Sequence, residues 1–194
     1  MNKIITIARE YGSAGRIIAK KVSERLGIQY YDNEIIDMVA KNLGYDIEML
    51  RKNAEEKTSS FMYSLSTTVN SLPLYDQVFI AQSKVIRHIG QKGSCIIVNG
   101  VADYVLEDYD HVLKVFIHAP LESRMRRVQY DYNEKHDNYK KYVLSKDKKR
   151  STYYNYYTTH KWGQIENFDL TLNSDLGIDS IVETIVQFYN QDNF

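Results

Sequence analysis

The stretch Tyr11-Gly12-Ser13-Ala14-Gly15-Arg16-Ile17 sits between a short apolar run, IITIA, and a segment of helical period. Those residue types at that spacing suit the holding of a phosphate. Glycines let backbone N–H groups point inward, and a helix start adds about half a positive charge. Arg16 would supply a full one. The strict pattern G-x-x-x-x-G-K-[ST] is not met: Arg16 stands where lysine would, and Ile17 follows without a hydroxyl. On pattern alone, a phosphate cradle and a plain strand-to-helix corner fit equally well. A second set of cations, Lys146, Lys148, Lys149 and Arg150, lies in a charge-dense segment that begins near Asp131. Taken alone, it is a solvated helix face. Asp32 and Asp103 each follow a strand-like piece and could cap the helices beginning there. Arg124, Arg126 and Arg127 open a basic helix. The five histidines show no metal-ligand spacing, and no serine stands in a G-x-S-x-G context.

These residues need elements to position them. IITIA reads as a buried strand, and the helix after it repeats Ile18, Val22 and Leu26 until Gly27 stops it. IQYYD is a brief strand leading into the helical NEIIDMVAKNLG. Residues 45–73 are polar and weakly periodic, with helical fragments around IEML and FMYSL. Helical period returns from Tyr75 to Gly90. Two almost wholly apolar runs, SCIIVNG and HVLKVFIHA, suit central strands buried on both faces. A third short apolar segment, FDLTLNS, precedes a closing helix that carries Ile178, Ile181, Val182, Ile185, Val186 and Phe188. Buried strands alternating with helices predict an α/β three-layer sandwich with a parallel sheet. In such sheets ligands gather at the carboxyl ends of strands, where the Tyr11–Arg16 turn lies.

Bulk properties narrow the function classes. With 194 residues, 43% of them hydrophobic, one domain with a sizeable core is expected. Lys plus Arg and Asp plus Glu balance at 25 each, so no global field attracts nucleic acid or an anionic membrane. Any anion site must be a local cluster. The single cysteine, Cys95 in CIIV, excludes a disulfide framework and reads as a buried thiol. No run is long enough to span a membrane, and MNKIITIA is too soon interrupted by Arg9 and Glu10 for a signal peptide. A cytoplasmic protein is expected. Ten of the seventeen tyrosines fall between Tyr104 and Tyr157 among lysines and arginines. They could stack bases of a single strand; half-buried helix residues are the reading preferred here.

Several of these segments, in register, resemble the cytidylate-kinase-like family of P-loop phosphotransferases. ITIAREYGSAGRIIAKKVSERLG is similar to that family's amino-terminal signature, and the likeness continues in YYDNEII, SCIIVNGVADYVL, VFIHAPLESRMRRV and KDKKRSTYYNYYTTHKWGQIENFDLTLNS. The resemblance implies a P-loop nucleoside triphosphate hydrolase type of fold over residues 1–194, with a helical lid at about 131–162. It implies ATP with Mg²⁺, and transfer of a γ-phosphoryl group to a nucleoside monophosphate or similar small phosphorylated acceptor. Gly12, Ser13, Ala14, Gly15, Arg16 and Ile17 would hold the donor phosphates, and Arg16, Lys146, Lys149 and Arg150 would act on the transferring group. Asp32, Asp103 and Arg124 would serve the acceptor, with Asp103 a candidate for Mg²⁺. Two departures stand out. Ala14 replaces a loop glycine, and Gly100 stands where the family carries an arginine that meets the acceptor phosphate. Thr159 and His160 also replace a Gly-Lys pair. These departures motivate an alternative, a non-catalytic nucleotide sensor or scaffold.

Overall fold

In the computed structural model, which describes residues 2–46, 48 and 72–191, five strands form one parallel sheet in the order β2-β3-β1-β4-β5. The strands are β1 (Ile4–Arg9), β2 (Gln29–Tyr31), β3 (Cys95–Ile97), β4 (Val112–His118) and β5 (Leu170–Asn173). Between and after them come α1 (Gly15–Leu26), α2 (Glu34–Leu43), α3 (Leu74–Lys92), α4 (Ala102–Val105), α5 (Leu121–Tyr130), α6 (Tyr139–Tyr157) and α7 (Ile178–Tyr189). The fragments expected at IEML and FMYSL fall, Glu48 apart, outside the described residues.

Alternation along β1 divides the core. Ile5 and Ile7 face α1 and α7, joined by Ile18, Val22, Ile181 and Ile185. Ile4 faces the other way, toward α2, α3 and α4, with Ile35, Ile86, Ile97 and the α6 residue Tyr154. Both faces of the central strands are therefore covered, which is why those strands read as continuous apolar runs. Gly27 ends α1 in the left-handed conformation, at φ 63°. The next amide, Ile28 N–H, reaches back to the Ser23 carbonyl at 3.3 Å.

Two local expectations are corrected. SCIIVNG enters the ladder only over Cys95–Ile97, because the Asn99 side chain accepts the Val101 amide at 2.9 Å and turns the chain. The helix expected to be capped by Asp103 is α4, a single turn whose N-cap is Val101, with Asp103 inside it. Burial pushes the Cys95 thiol up to about 12, so it behaves as a small apolar side chain.

The tyrosine-rich segment fastens α6 to the body of the fold. Tyr153 and Tyr157 donate to Gln82 and Asp76 of α3 at 2.8 and 2.9 Å, and the Tyr157 ring stacks on Phe79 at 4.3 Å. Beyond α6, Trp162 packs edge-on against Phe116 of β4. Tyr154 is fully buried and donates to Asp103 Oδ2 at 2.7 Å. Asp103 is itself buried, and burial holds its pKa above the usual carboxylate range. Tyr154→Phe should therefore lower stability by about 1–3 kcal/mol, since it strands a buried acceptor. Urea unfolding of the two proteins measures the difference.

Candidate anion-binding active site

The turn from β1 into α1 has the backbone of an anion cradle. Gly12 takes φ 81° and Ala14 takes φ 62°, so Ala14 sits left-handed immediately before the first helical residue, Gly15. A left-handed residue followed by a right-handed one turns consecutive amides to one side. The first amides of α1 also have no carbonyl within the helix to bond. Ala14 adopts the conformation glycine would favour and pays a steric cost of roughly 1–2 kcal/mol for it. Its methyl is fully buried in the core beneath the loop. Gly12 and Gly15 are required by space. A Cβ on Gly12 would lie 2.8 Å from the Arg124 carbonyl oxygen, and one on Gly15 would lie 2.9 Å from the Arg9 side chain.

The outer side of the turn is pinned by α5 and α6. Arg124 Nη1 donates to the Tyr11 carbonyl at 3.3 Å and to Asp147 Oδ2 at 2.5 Å, while its Nε lies 3.4 Å from Glu10. Arg127 donates to the Gly12 carbonyl at 2.6 Å. The other oxygen of Asp147 takes the Tyr11 amide at 2.7 Å. Ser13 is buried, and its hydroxyl donates to the Glu10 and Ile117 carbonyls at 2.9 and 3.0 Å. Ser13 therefore braces the loop through its side chain.

Tyr11 itself projects into a cage on the α6 side. Its hydroxyl donates to Glu134 at 2.7 Å, its ring meets Tyr132 and Tyr142 edge-on, and Arg150 and Lys146 lie 5.3 and 5.7 Å from its centroid. Burial, with hydrogen bonds to Tyr142 and Glu134, pushes the phenol well above its ordinary range. Burial raises Glu134 too, but hydrogen bonds from Tyr11 and His136 outweigh it and hold the carboxyl below its usual range.

The structure brings most of the expected residues to this turn. Arg16 pairs with Asp32, Nε to Oδ2 at 2.6 Å, and reaches Asn33 at 3.0 Å. The Asp32 carboxylate also meets Arg9 at 3.5 Å and the Tyr30 hydroxyl at 3.2 Å. Asp32 does not cap α2: Asn33 holds that position without a side-chain cap bond, because the Asp32 carboxylate is spent on these arginines. Arg150 donates to the Arg9 carbonyl at 2.8 Å. Lys146 rides on the Tyr11 and Tyr142 rings, whereas Lys149 makes no hydrogen bond or ion pair among the described residues. Three expectations meet a different geometry. Ile17 is half-buried and packs its side chain against the core cluster that contains Ile18 and Val22. Asp103 accepts from Tyr154 and makes no side-chain hydrogen bond or ion pair with the loop among the described residues. Arg124 is buried behind the loop on Glu10 and Asp147, where its contacts are structural. Among the described residues no group of three or more metal-ligating side chains is assembled.

Sequence reading missed Arg9, Glu10 and Asp147. Arg9 and Glu10 were legible only as an interruption of an apolar run, and Asp147 is one acid among the lysines of a charged helix.

This sheet order, with an anion cradle at the end of β1, is the fold of the P-loop kinases. Solved structures agree. An uncharacterized protein from Eubacterium ventriosum is similar at 24% identity over 98% of this chain and 99% of its own, with TM-score 0.75. Shikimate kinase from Bacteroides thetaiotaomicron aligns over 98% of this chain and 100% of its own at 12% identity and TM-score 0.60. A gluconokinase from Sinorhizobium meliloti aligns over 97% and 91% at 10% identity and TM-score 0.62. No curated protein sequence matches the chain. Residues 4–176 match the cytidylate kinase-like family, and the chain belongs to it. No described helix is long and apolar enough to cross a membrane.

Two measurements probe the pinning of the loop. Asp147→Ala takes from buried Arg124 its shorter ion pair, leaving Glu10 at 3.4 Å, and should cost up to about 3 kcal/mol in urea unfolding. Pairing that change with Arg124→Met should recover part of the loss, so the double-mutant cycle should show favourable coupling. The depressed Glu134 pKa adds stability above its unfolded value, about pH 4.3, and that contribution is lost as pH falls through the folded value. Glu134→Gln should accordingly flatten the acid limb of a plot of melting temperature against pH.

Proposed function

We propose that this protein is an ATP-dependent phosphotransferase that moves a γ-phosphoryl group to a nucleoside monophosphate or a similar small phosphorylated acceptor, in the cytoplasm. The observation that carries the reading is the left-handed Ala14 at the head of α1, with Arg16 beside it. A plain corner has no use for strained backbone there, whereas a turn that must present amides to a polyanion does. In this reading residues 1–194 form one P-loop domain, and residues 131–162 are the lid over the donor.

Phosphoryl transfer asks for positioning and for charge on the transferring group. The amides of the Gly12–Arg16 turn would hold the donor phosphates, and Arg16 would offer a planar fork where lysine offers a point charge. Lys149, without a partner of its own among the described residues, and Arg150 would neutralise charge from the lid side. An acceptor phosphate oxygen would attack the γ-phosphorus as the bond to the β–γ bridging oxygen breaks, and ADP would leave with that electron pair. Mg²⁺ fits as a passenger on the nucleotide. Ile17 offers no hydroxyl, the Ser13 hydroxyl donates to carbonyls, and buried Asp103 has one oxygen on Tyr154 and the other without a hydrogen-bond partner among the described residues. Asp32, the carboxylate beside the loop, is already held against Arg9 and Arg16. Bound Mg²⁺ would offset the charge between the donor's phosphates.

The mycobacterial APS kinase solved with AMPPNP and APS, similar in fold at 15% identity over 98% of each chain and TM-score 0.53, shows that a protein of this fold holds such a pair of ligands. The absence of an arginine at Gly100 favours a second reading, a nucleotide sensor with a degenerate acceptor site. Turnover separates the two. ADP release in the presence of ATP, Mg²⁺ and each nucleoside monophosphate supports the kinase. ATP-induced thermal stabilisation with no release supports the sensor, and neither effect removes both. Arg16→Gln should weaken ATP by about tenfold to a hundredfold, the worth of one charged hydrogen bond, as read by calorimetric titration.

A further inference from the structure

Beside the β1–α1 turn lies a cluster whose chemistry phosphoryl transfer does not call on. Tyr11 opens the turn, and its hydroxyl donates to Glu134 Oε1 at 2.7 Å. The other oxygen of that carboxylate, Oε2, meets His136 Nε2 at 3.0 Å. Three residues thus form one line of hydrogen bonds from the start of the turn to an imidazole.

His136 lies in the segment between α5 and α6. Its ring stacks on Tyr142, with centroids 3.4 Å apart, and meets Tyr139 edge-on at 5.9 Å. Lys146 Nζ lies 5.3 Å from the centroid of the same Tyr142 ring, and Lys135 and Asp137 flank His136 in the chain. The side chain is 26% exposed, so solvent protons reach it. The partners in the line keep their charge near neutral pH. Burial raises the Glu134 carboxyl, but hydrogen bonds from Tyr11 and His136 outweigh it and keep the group ionised. Burial, with the bonds to Tyr142 and Glu134, pushes the Tyr11 phenol up, so it keeps its proton. An imidazole, by contrast, is the side chain that changes charge between about pH 5 and 8.

Against an ionised carboxylate, a neutral His136 must present its N–H at Nε2. Protonation therefore fills Nδ1 and leaves the bond to Glu134 in place. Only the charge changes: Glu134 beside a neutral ring is an anion, and Glu134 beside an imidazolium is a neutral pair. That carboxylate stands one tyrosine side chain away from the turn, where it opposes any anion the turn holds.

We propose that His136 is a proton switch on the anion affinity of the β1–α1 turn: its protonation cancels the Glu134 carboxylate and tightens the hold on a polyphosphate as pH falls. By linkage, a bound polyphosphate draws a proton onto His136. Tyr11 and His136 bond different oxygens of Glu134, so the switch acts through charge and leaves the turn fastened. It rests on the phosphate-holding part of the proposed function and is independent of turnover.

Calorimetric titration of the full chain with AMPPNP, at about pH 5.5 and about pH 8, tests the switch. His136→Gln keeps a donor toward Glu134 and never charges, whereas His136→Arg keeps a donor and is always charged. Dividing each variant's affinity by that of wild type at the same pH removes the ligand's own titration. At about pH 8 wild type should match His136→Gln, and His136→Arg should bind about three- to tenfold tighter than both. At about pH 5.5 wild type should match His136→Arg and exceed His136→Gln by that same factor. Either variant decides the matter if the other does not fold. Glu134→Gln should bind AMPPNP more tightly than wild type at about pH 8, where a merely bracing role for Glu134 predicts weaker binding. Ratios to wild type that do not change with pH, or weaker binding by Glu134→Gln, would overturn the switch and leave the cradle standing. No AMPPNP binding to wild type at either pH would overturn the phosphate-holding turn and the switch with it.

Discussion

A turn that points its amides at a ligand must point carbonyls away from it, and those carbonyls need donors of their own. The Tyr11 and Gly12 carbonyls find theirs in Arg124 and Arg127 of α5. Burying Arg124 then demands a counter-charge, which Asp147 of α6 supplies while taking the Tyr11 amide. Loop, α5 and α6 are linked by one chain of electrostatic necessity. Remove Asp147 and the loop loses an amide partner, while the arginine holding its carbonyl keeps only the longer contact with Glu10.

Charge around the loop divides into two groups with different work. On the outer side each cation has an acid: Arg124 has Glu10 and Asp147, and Arg127 has Asp131 at 3.8 Å. On the inner side Arg9 and Arg16 share Asp32, and Arg150 bonds the Arg9 carbonyl. The outer pairs, with the carbonyl bonds of Arg124 and Arg127, hold the loop backbone in shape. A protein with no net charge can in this way gather arginines around one turn.

The layers of the fold were legible because burial on both faces writes itself as unbroken apolar runs, as in IITIA and VLKVFIH. Helix ends were legible where glycine supplied a left-handed stop, as at Gly27. The loop was visible through Gly12 and Gly15, and the register of several segments pointed to the family that residues 4–176 match. Less legible were residues whose role depends on partners far along the chain. Asp147 looks like any acid in a charged helix until Arg124 and Tyr11, 23 and 136 positions away, close on it. Arg9 carries no periodic signal because its partners arrive from β2 and α6. The tyrosines of α6 could not be assigned from composition, since only tertiary packing says that Tyr157 lies on Phe79 and Tyr154 on Asp103.

The fastening of α6 has a mechanical corollary. Near its middle the helix is bolted to the loop through Asp147 and Arg150, and toward its end it is stapled to α3 through Tyr153 and Tyr157. Such a rod cannot swing like a flap hinged at one end, because any tilt shears one set of bonds or drags the neighbouring element along. A displacement of α6 at the cradle would therefore load its bonds to Gln82 and Asp76 of α3.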